Sequence, residues 1–452
     1  MVKTDLIIIG AGPGGYETAL AAAHRGKTVT LFEGAHLGGT CLNEGCIPTK
    51  CLCKNAEVLT QFKEAEQFGI DNFTFEFDFN KVMARKDEVV NTLRGGIDMM
   101  MKQAKVNVVS EFASFKDSCT VVAGGEEYTA DNIIIATGSV SKSLPIPGSE
   151  LECVKTSTDM LSIEYVPESL TIVGGGVIGM EFASIFNAMG SKVTVVEFMK
   201  QILPPFDSDI AKRLKQALSK KGINIITSAA VKKIEQNDDY EVVTTYECKG
   251  KEQTVVSSDL LMAVGRAPRI DGLNLEAAGV EFTPRGIVVD DYMRTNVPHI
   301  YAIGDVNARM MLAHVASFQG VRALNAIEGV EDTIDFSVVP SAVFTQPECG
   351  MVGMTQEQCK EQGLDVKIGT SFFRSNGKAL ALGEPEGLCK LIFRASDMAL
   401  IGAHIMGVQA ADLAQQAADL ISTGATHAKM TDIIFGHPTV SEVILTACHN
   451  LK

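Results

Sequence analysis

The chain has 452 residues, 46% of them hydrophobic and 21% charged, with 41 glycines; that suits roughly two to four compact domains rich in tight turns. Its formal net charge of −15 argues against nucleic acid or an anionic membrane surface as a partner. Eleven cysteines, odd in number and scattered, exclude a secreted disulfide framework. No apolar run approaches the ~18 residues of a membrane span. The N-terminus carries no targeting pattern, so a cytoplasmic location is expected.

Asp5 to Gly10 is an apolar run with the look of a buried parallel strand. It feeds Gly10-Ala11-Gly12-Pro13-Gly14-Gly15, a G-x-G-x-x-G, then an Ala-rich helix over Tyr16 to His24 and a strand over Thr28 to Phe32. Glu33 follows 23 residues after Gly10. A lone glycine motif is weak evidence. With strand, helix, strand and acid in this order it marks a dinucleotide cradle: glycines admit the pyrophosphate, the helix N-terminus faces the phosphates, and the acid takes ribose hydroxyls.

Gly38 to Lys50 comes next and holds Cys41 and Cys46, five positions apart. Pro48 suits the first turn of a helix, which places Cys46 at a helix N-terminus, where the dipole favours thiolate. The stretch reads as a redox pair. Two buried, unpaired thiols, or a zinc site using Cys51 and Cys53, are the alternatives. Ala56 to Gln67 and Phe79 to Lys105 read as scaffold helices, with Met99-Met100-Met101 in the core. Val106 to Val109 is a strand. Hairpins run on to Thr129 around the turn Gly124-Gly125, and Ile133 to Ser139 is a further buried strand. Pro145 and Pro147 mark a linker.

Leu170 to Val173, Gly174-Gly175-Gly176-Val177-Ile178-Gly179, a helix over Met180 to Met189 and a strand over Lys192 to Val196 repeat the first cradle, and Glu197 again stands 23 residues after the first glycine. The chain thus binds two dinucleotides. Glu197 would repel a 2′-phosphate and only Lys200 offers positive charge just beyond it, which favours NAD. Asp207 to Lys221 reads as a helix and Ile223 to Ile226 as a parallel strand. Val231 to Glu235 and Tyr240 to Tyr246 form a meander, and Leu260 to Arg266 closes the domain. Thr295 to Asp305 is a short strand ending in Gly304-Asp305, where a carboxylate can hold flavin ribityl hydroxyls. A helix starts near Leu312-Ala313-His314, and its N-terminus could stabilise negative charge such as that on a reduced flavin ring. Val338 to Phe344 opens a last domain of strands and two helical stretches. Near its end His437 precedes Glu442 by five residues, a spacing at which the acid can orient the imidazole as a base.

Together these stretches resemble the pyridine nucleotide-disulfide oxidoreductases. The matching parts are Gly10 to Gly15, Gly38 to Lys50, Ala136-Thr137-Gly138, Gly174 to Glu181, Gly265-Arg266, Thr295 to Asp305, Val343 to Glu348 and His437 to Glu442. The resemblance covers the whole chain. It implies an α/β fold: two Rossmann-like dinucleotide-binding domains plus a C-terminal α+β dimerisation domain. FAD would occupy residues 1–142 and their return over 266–336, NAD residues 143–265, and the interface domain residues 337–452. FAD contacts implied are Gly10, Gly12, Gly14, Gly15, Glu33, Gly39, Thr40, Lys50, Ala113, Ala136, Thr137, Gly138, Ser139, Asp305, Met311, Leu312, Ala313 and His314. Further cofactor contacts implied are Gly174, Gly176, Val177, Ile178, Gly179, Glu181, Glu197, Val231, Gly265 and Arg266.

By the same resemblance Cys46 is the thiol beside the flavin and Cys41 the exchange thiol. Lys50 lies beside the flavin, paired with Glu181. His437, oriented by Glu442, serves the partner subunit's site, which implies a homodimer with shared active sites. The implied reaction is NAD-dependent oxidation of dihydrolipoyl groups carried by the lipoyl domain of a 2-oxoacid dehydrogenase or glycine-cleavage complex. Many relatives of that kind carry a second histidine where this chain has Phe435, and acidic residues where it has Val315 to Gly320. An NADPH-dependent glutathione-type reductase lacks support from Glu197, and Cys448 has no neighbouring cysteine of the sort a mercuric or large thioredoxin reductase needs. A binding subunit without turnover conflicts with the intact Cys41, Cys46, His437 and Glu442.

Overall fold

In a computed structural model that describes Met1–Lys452, the chain divides into two compact units. The first comprises Met1–Cys51, Lys81–Lys142 and Gly265–Ile334; the second comprises Leu52–Asn80, Ser143–Val264 and Asp335–Lys452.

The first unit is built on a sheet in the order Asn107–Val109, Val29–Phe32, Val2–Ile9, Glu126–Ile135, Thr120–Ala123, Ala113–Phe115, with Ile300–Ala302 also paired to Glu126–Ile135. The strands from Asn107–Val109 to Glu126–Ile135 run parallel, and Ile7 faces Ile133 and Ile9 faces Ile135 across the central pair. Leu6, Ile7, Ile8 and Ile133 to Ile135 are buried, as a strand covered on both faces requires. Ile133 to Ile135 is the end of one ten-residue strand and not a separate element. Its first half makes the antiparallel hairpin and its second half takes Ile300–Ala302, so the edge opposite Val2–Ile9 serves two partners. Ser139 belongs to a small ribbon in which Ser139–Ser141 pairs with Arg266–Pro268. Met101 is buried, but Met99 and Met100 are exposed, because a helix over Phe79–Gln103 turns only one face inward.

The helix Pro13–His24 packs closely on the helix Ala313–Glu328. A Cβ on Gly14 would come within 3.0 Å of Ala316 Cβ, and one on Gly320 within 1.8 Å of Thr18 Oγ1. A Cβ on Gly304 would also meet Ala316 at 3.0 Å. The start of Ala313–Glu328 is therefore held beside both the first glycine turn and Gly304-Asp305.

The second unit contains a parallel sheet in the order Asn224–Thr227, Lys192–Glu197, Ser169–Val173, Asp259–Met262, Val154–Lys155. Beside it lies an antiparallel meander whose third strand, Lys251–Ser257, has little alternation in the sequence and is mostly exposed. The tail folds as a five-stranded antiparallel sheet, Ser341–Val343, Cys349–Gly353, Leu400–Met406, Leu388–Arg394, Val366–Phe372. The helices Ala410–Ser422 and Glu442–His449 cover it, and three helical turns of five or six residues add to the two stretches expected. No helix is long and apolar enough to cross a membrane.

Candidate active site

The two glycine turns are near copies. Gly10 (φ +101°) and Gly174 (φ +111°) adopt backbone that favours glycine, and added Cβ atoms would lie 2.4 Å from Ala136 O and 2.3 Å from Ala263 O. Gly15 and Gly179 are equally closed: their Cβ atoms would sit 1.9 Å from Gly10 O and 2.0 Å from Gly174 O. Gly12 and Gly176, the N-caps of Pro13–His24 and Val177–Met189, have open space instead, as close approach of a pyrophosphate requires. Val177 and Ile178 begin the second of these helices.

Both acids are aimed by the backbone. Glu33 accepts from Ala11 N and Ala35 N, each at 2.9 Å, and Glu197 accepts from Gly175 N and Met199 N. A carboxylate has about four acceptor positions. Each acid therefore keeps capacity for ribose hydroxyls after these backbone bonds. The residues fit a dinucleotide at both places.

The dithiol stretch lies against the first turn. Gly38 N donates to Ala11 O at 2.8 Å, and a Cβ on Gly39 would come within 2.6 Å of Gly12 Cα. Thr40 and Cys41 lie in the short helix Gly39–Glu44, and Cys46 opens the helix Cys46–Lys63 with Pro48 in its first turn. The Cys41 thiol is pushed well above its ordinary value, first by its hydrogen bond to the Cys46 sulfur and then by burial, while the Lys50 charge pulls the other way.

Two neighbours carried no signal in the linear sequence. The Tyr16 hydroxyl is pushed up to about 12, first by burial and then by Glu17, with Cys41 also contributing. Arg94 holds Asn43 Oδ1 at 2.7 and 3.0 Å, while Asn43 Nδ2 reaches Leu37 O and Gly39 O, bracing the helix that carries Cys41. Only the chain reversal between them brings Arg94 to this helix.

At the other end of the first cradle, Ala136, Thr137 and Gly138 lead out of the long strand. Thr137 Oγ1 donates to Arg269 O at 2.7 Å. Ser139 hydrogen bonds both Arg266 and Asp305. Burial pushes the Arg266 guanidinium down, opposed by Asp305, Glu44 and Cys46. Met311, Leu312, Ala313 and His314 form the approach to and first turn of Ala313–Glu328, with Leu312 as N-cap. Ala113 starts a strand one position beyond the exposed Phe112, whose ring would be met by a Cβ on Gly34, next to Glu33.

In the second unit, Glu181 is buried and accepts from Phe344 N at 2.9 Å, which ties Val177–Met189 to the start of the tail. Val231 sits at a bulge in the meander, and Gly265 (φ +106°) precedes the ribbon. His437 Nδ1 is 3.0 Å from Glu442 Oε1, and Glu442 Oε2 accepts from Thr439 N at 2.9 Å. Those two bonds hold the Glu442 carboxyl below its ordinary value, the Thr439 N–H first and His437 second. The imidazole is 79% exposed, so its Nε2 edge faces outward. Phe435 packs partly buried against the tail core.

Comparison with known proteins places these features in a family. Residues 4–320 match the model described as pyridine nucleotide-disulphide oxidoreductase, and residues 339–448 match its dimerisation domain. The chain is 39% identical to a dihydrolipoyl dehydrogenase of Geobacillus stearothermophilus over 99% of its length and 96% of that protein's. A dihydrolipoyl dehydrogenase of Bacillus subtilis is 41% identical with the same coverage. Among solved structures, the HOCl-induced flavoprotein disulfide reductase RclA from Escherichia coli is 30% identical over 99% of both chains, with a TM-score of 0.87.

Proposed function

This chain belongs to the pyridine nucleotide-disulphide oxidoreductase family, whose members bind FAD and a pyridine nucleotide, and we propose that it oxidises protein-bound dihydrolipoyl groups with NAD. A dithiol becomes a disulfide, NAD⁺ becomes NADH, and one proton is released. The observation that carries the reading is the oriented, outward-facing His437–Glu442 pair, a base displayed for a thiol substrate. The near 40% identity to dihydrolipoyl dehydrogenases along almost the whole chain supports the lipoyl substrate.

His437 of the partner subunit takes the proton from a substrate thiol. The thiolate attacks Cys41 of the Cys41–Cys46 disulfide, and Cys46 leaves as thiolate. The first proton passes from the imidazole to the Cys41 sulfur as the second substrate thiol attacks the mixed disulfide and expels it, and the imidazole takes up the proton that this second thiol loses. The raised pKa of the Cys41 thiol favours its protonated form, so the Cys41 sulfur takes up a proton as it leaves the mixed disulfide. Bound FAD supplies the two-electron redox chemistry that links the dithiol to the nicotinamide. Residues 1–142 and 266–336 hold it in this reading, residues 143–265 hold NAD, and residues 337–452 form the dimer interface. Glu197 selects NAD by repelling a 2′-phosphate.

Initial rates of the purified holoprotein test the reading: dihydrolipoamide with NAD and with NADP, against glutathione disulfide with NADH and with NADPH. Dihydrolipoamide with NAD should dominate. Turnover only as an NADPH-driven reductase of small disulfides would overturn it.

A further inference from the structure

Ser139, Arg266 and Asp305 come from three separate segments, and hydrogen bonds join them in series. Ser139, only 6% exposed, donates its hydroxyl to Asp305 Oδ2. Arg266 Nε donates to that same hydroxyl oxygen at 2.7 Å, and a terminal guanidinium nitrogen donates to the Ser139 carbonyl at 2.8 Å. A serine hydroxyl has one proton, and arginine can only donate. The guanidinium therefore occupies a lone pair on Ser139 Oγ and turns the single proton toward the carboxylate. The series has one direction: guanidinium to hydroxyl to carboxylate.

The backbone keeps all three groups in place. Ser139 and Pro268 face each other across the small ribbon, so Arg266 lies two residues along the opposite strand. Arg269 N closes the ribbon on Gly138 O at 2.9 Å. Asp305 sits on the turn Gly304–Asn307. Gln319 Oε1 pins that turn, accepting from Gly304 N at 2.7 Å and from Asn307 Nδ2 at 2.9 Å. With Oδ2 engaged by Ser139, the carboxylate presents Oδ1 to a ligand.

We propose that Ser139 and Arg266 are positioning residues that aim the Asp305 carboxylate at the polyhydroxyl chain of bound FAD. This rests on the reading of Asp305 as the group that holds those hydroxyls. Without the series the carboxylate is free to rotate, and a hydrogen bond to a charged group is lost or weakened. Loss of one such bond lowers affinity about tenfold to a hundredfold.

Stepwise dilution of purified holoprotein, with released FAD read by its fluorescence, tests the proposal. Ser139→Ala and Arg266→Met should each release FAD at about tenfold higher protein concentration than the parent, since each loses one bond of the series. The double variant should be no worse than the weaker single one, because the bonds act in series. Ser139→Thr, which keeps the hydroxyl, should restore the parental value; a merely structural defect would not show that rescue. Parental affinity in Ser139→Ala, or additive effects in the double variant, overturns the proposal while leaving Asp305 in its role. Parental affinity in Asp305→Ala overturns the reading of Asp305, and the proposal with it.

Discussion

Replacing Lys390 by methionine removes one charge from a pair buried on both sides. Lys390, on the tail strand Leu388–Arg394, is 2% exposed at its side chain and Asp207 is 0% exposed. Lys390 Nζ reaches Asp207 Oδ1 at 2.8 Å and Oδ2 at 2.9 Å, and Asp209 Oδ2 at 2.8 Å. Asp207 caps the helix Ser208–Lys220, so the pair bolts the nucleotide-binding part of the second unit to the tail. Methionine keeps much of the volume but leaves Asp207 with two backbone donors, Asp209 N at 3.1 Å and Gln356 N at 3.2 Å. A buried carboxylate stripped of its cation costs about 3–5 kcal/mol. At roughly 2–4 °C per kcal/mol for a unit of this size, the melting temperature should fall by about 6–20 °C.

The pH dependence has a definite sign. Burial pushes the Asp207 carboxyl up, but Lys390, with smaller contributions from His404 and the Gln356 N–H, offsets this and holds it below its ordinary value. Its contribution is therefore present above the ordinary carboxylate range and is lost as pH falls through the lowered value. Burial pushes Lys390 down, and Asp207 and Asp209 hold it above its ordinary value, so its contribution is lost only as pH rises through that raised value. Both contributions are present at neutral pH. In Lys390→Met the unpaired carboxyl titrates upward, and protonation relieves the buried charge. Scanning calorimetry of the holoprotein should show a large gap between parent and variant at neutral pH that narrows in acid. Asp207→Asn added to the variant should recover much of the loss. A variant melting within about 2 °C of the parent at neutral pH, or a gap that widens in acid, refutes the account.

The two cradles should fail separately. Gly15→Ala places a Cβ 1.9 Å from Gly10 O and should yield protein without bound flavin, whereas Gly179→Ala, at 2.0 Å from Gly174 O, should stay yellow and lose NAD binding by calorimetric titration. Glu197→Gln should raise kcat/KM for NADP by about tenfold or more relative to NAD, as removal of one close like charge predicts; an unchanged ratio in steady-state assays counts against this acid as the selector. His437→Ala and Cys41→Ser should each abolish lipoamide turnover, while mixed dimers of the two should regain activity at one of their two sites. No recovery after demonstrated subunit exchange sinks the shared site.

The short-range features were legible because their causes are local. A positive φ at Gly10 and Gly174, a strand feeding a helix, and an acid at the end of the next strand are backbone constraints within one β-α-β unit. His437 and Glu442 are five residues apart and meet across one turn. Cys46 opens its helix beside Pro48 for the same local reason. Tertiary structure alone decided the rest. Arg94 meets Asn43 from 51 residues away, Arg266 meets Ser139 across 127, Ser139 meets Asp305 across 166, and Lys390 meets Asp207 across 183. No periodicity records such pairs, because they depend on which strands become neighbours in a sheet. The amino-acid pattern thus determined the two glycine turns, the acid that follows each, and the helix start at Cys46. Which buried charges and hydroxyls hold those sites in register follows from long-range packing, where a polar group removed from water must find its partner wherever the fold delivers one.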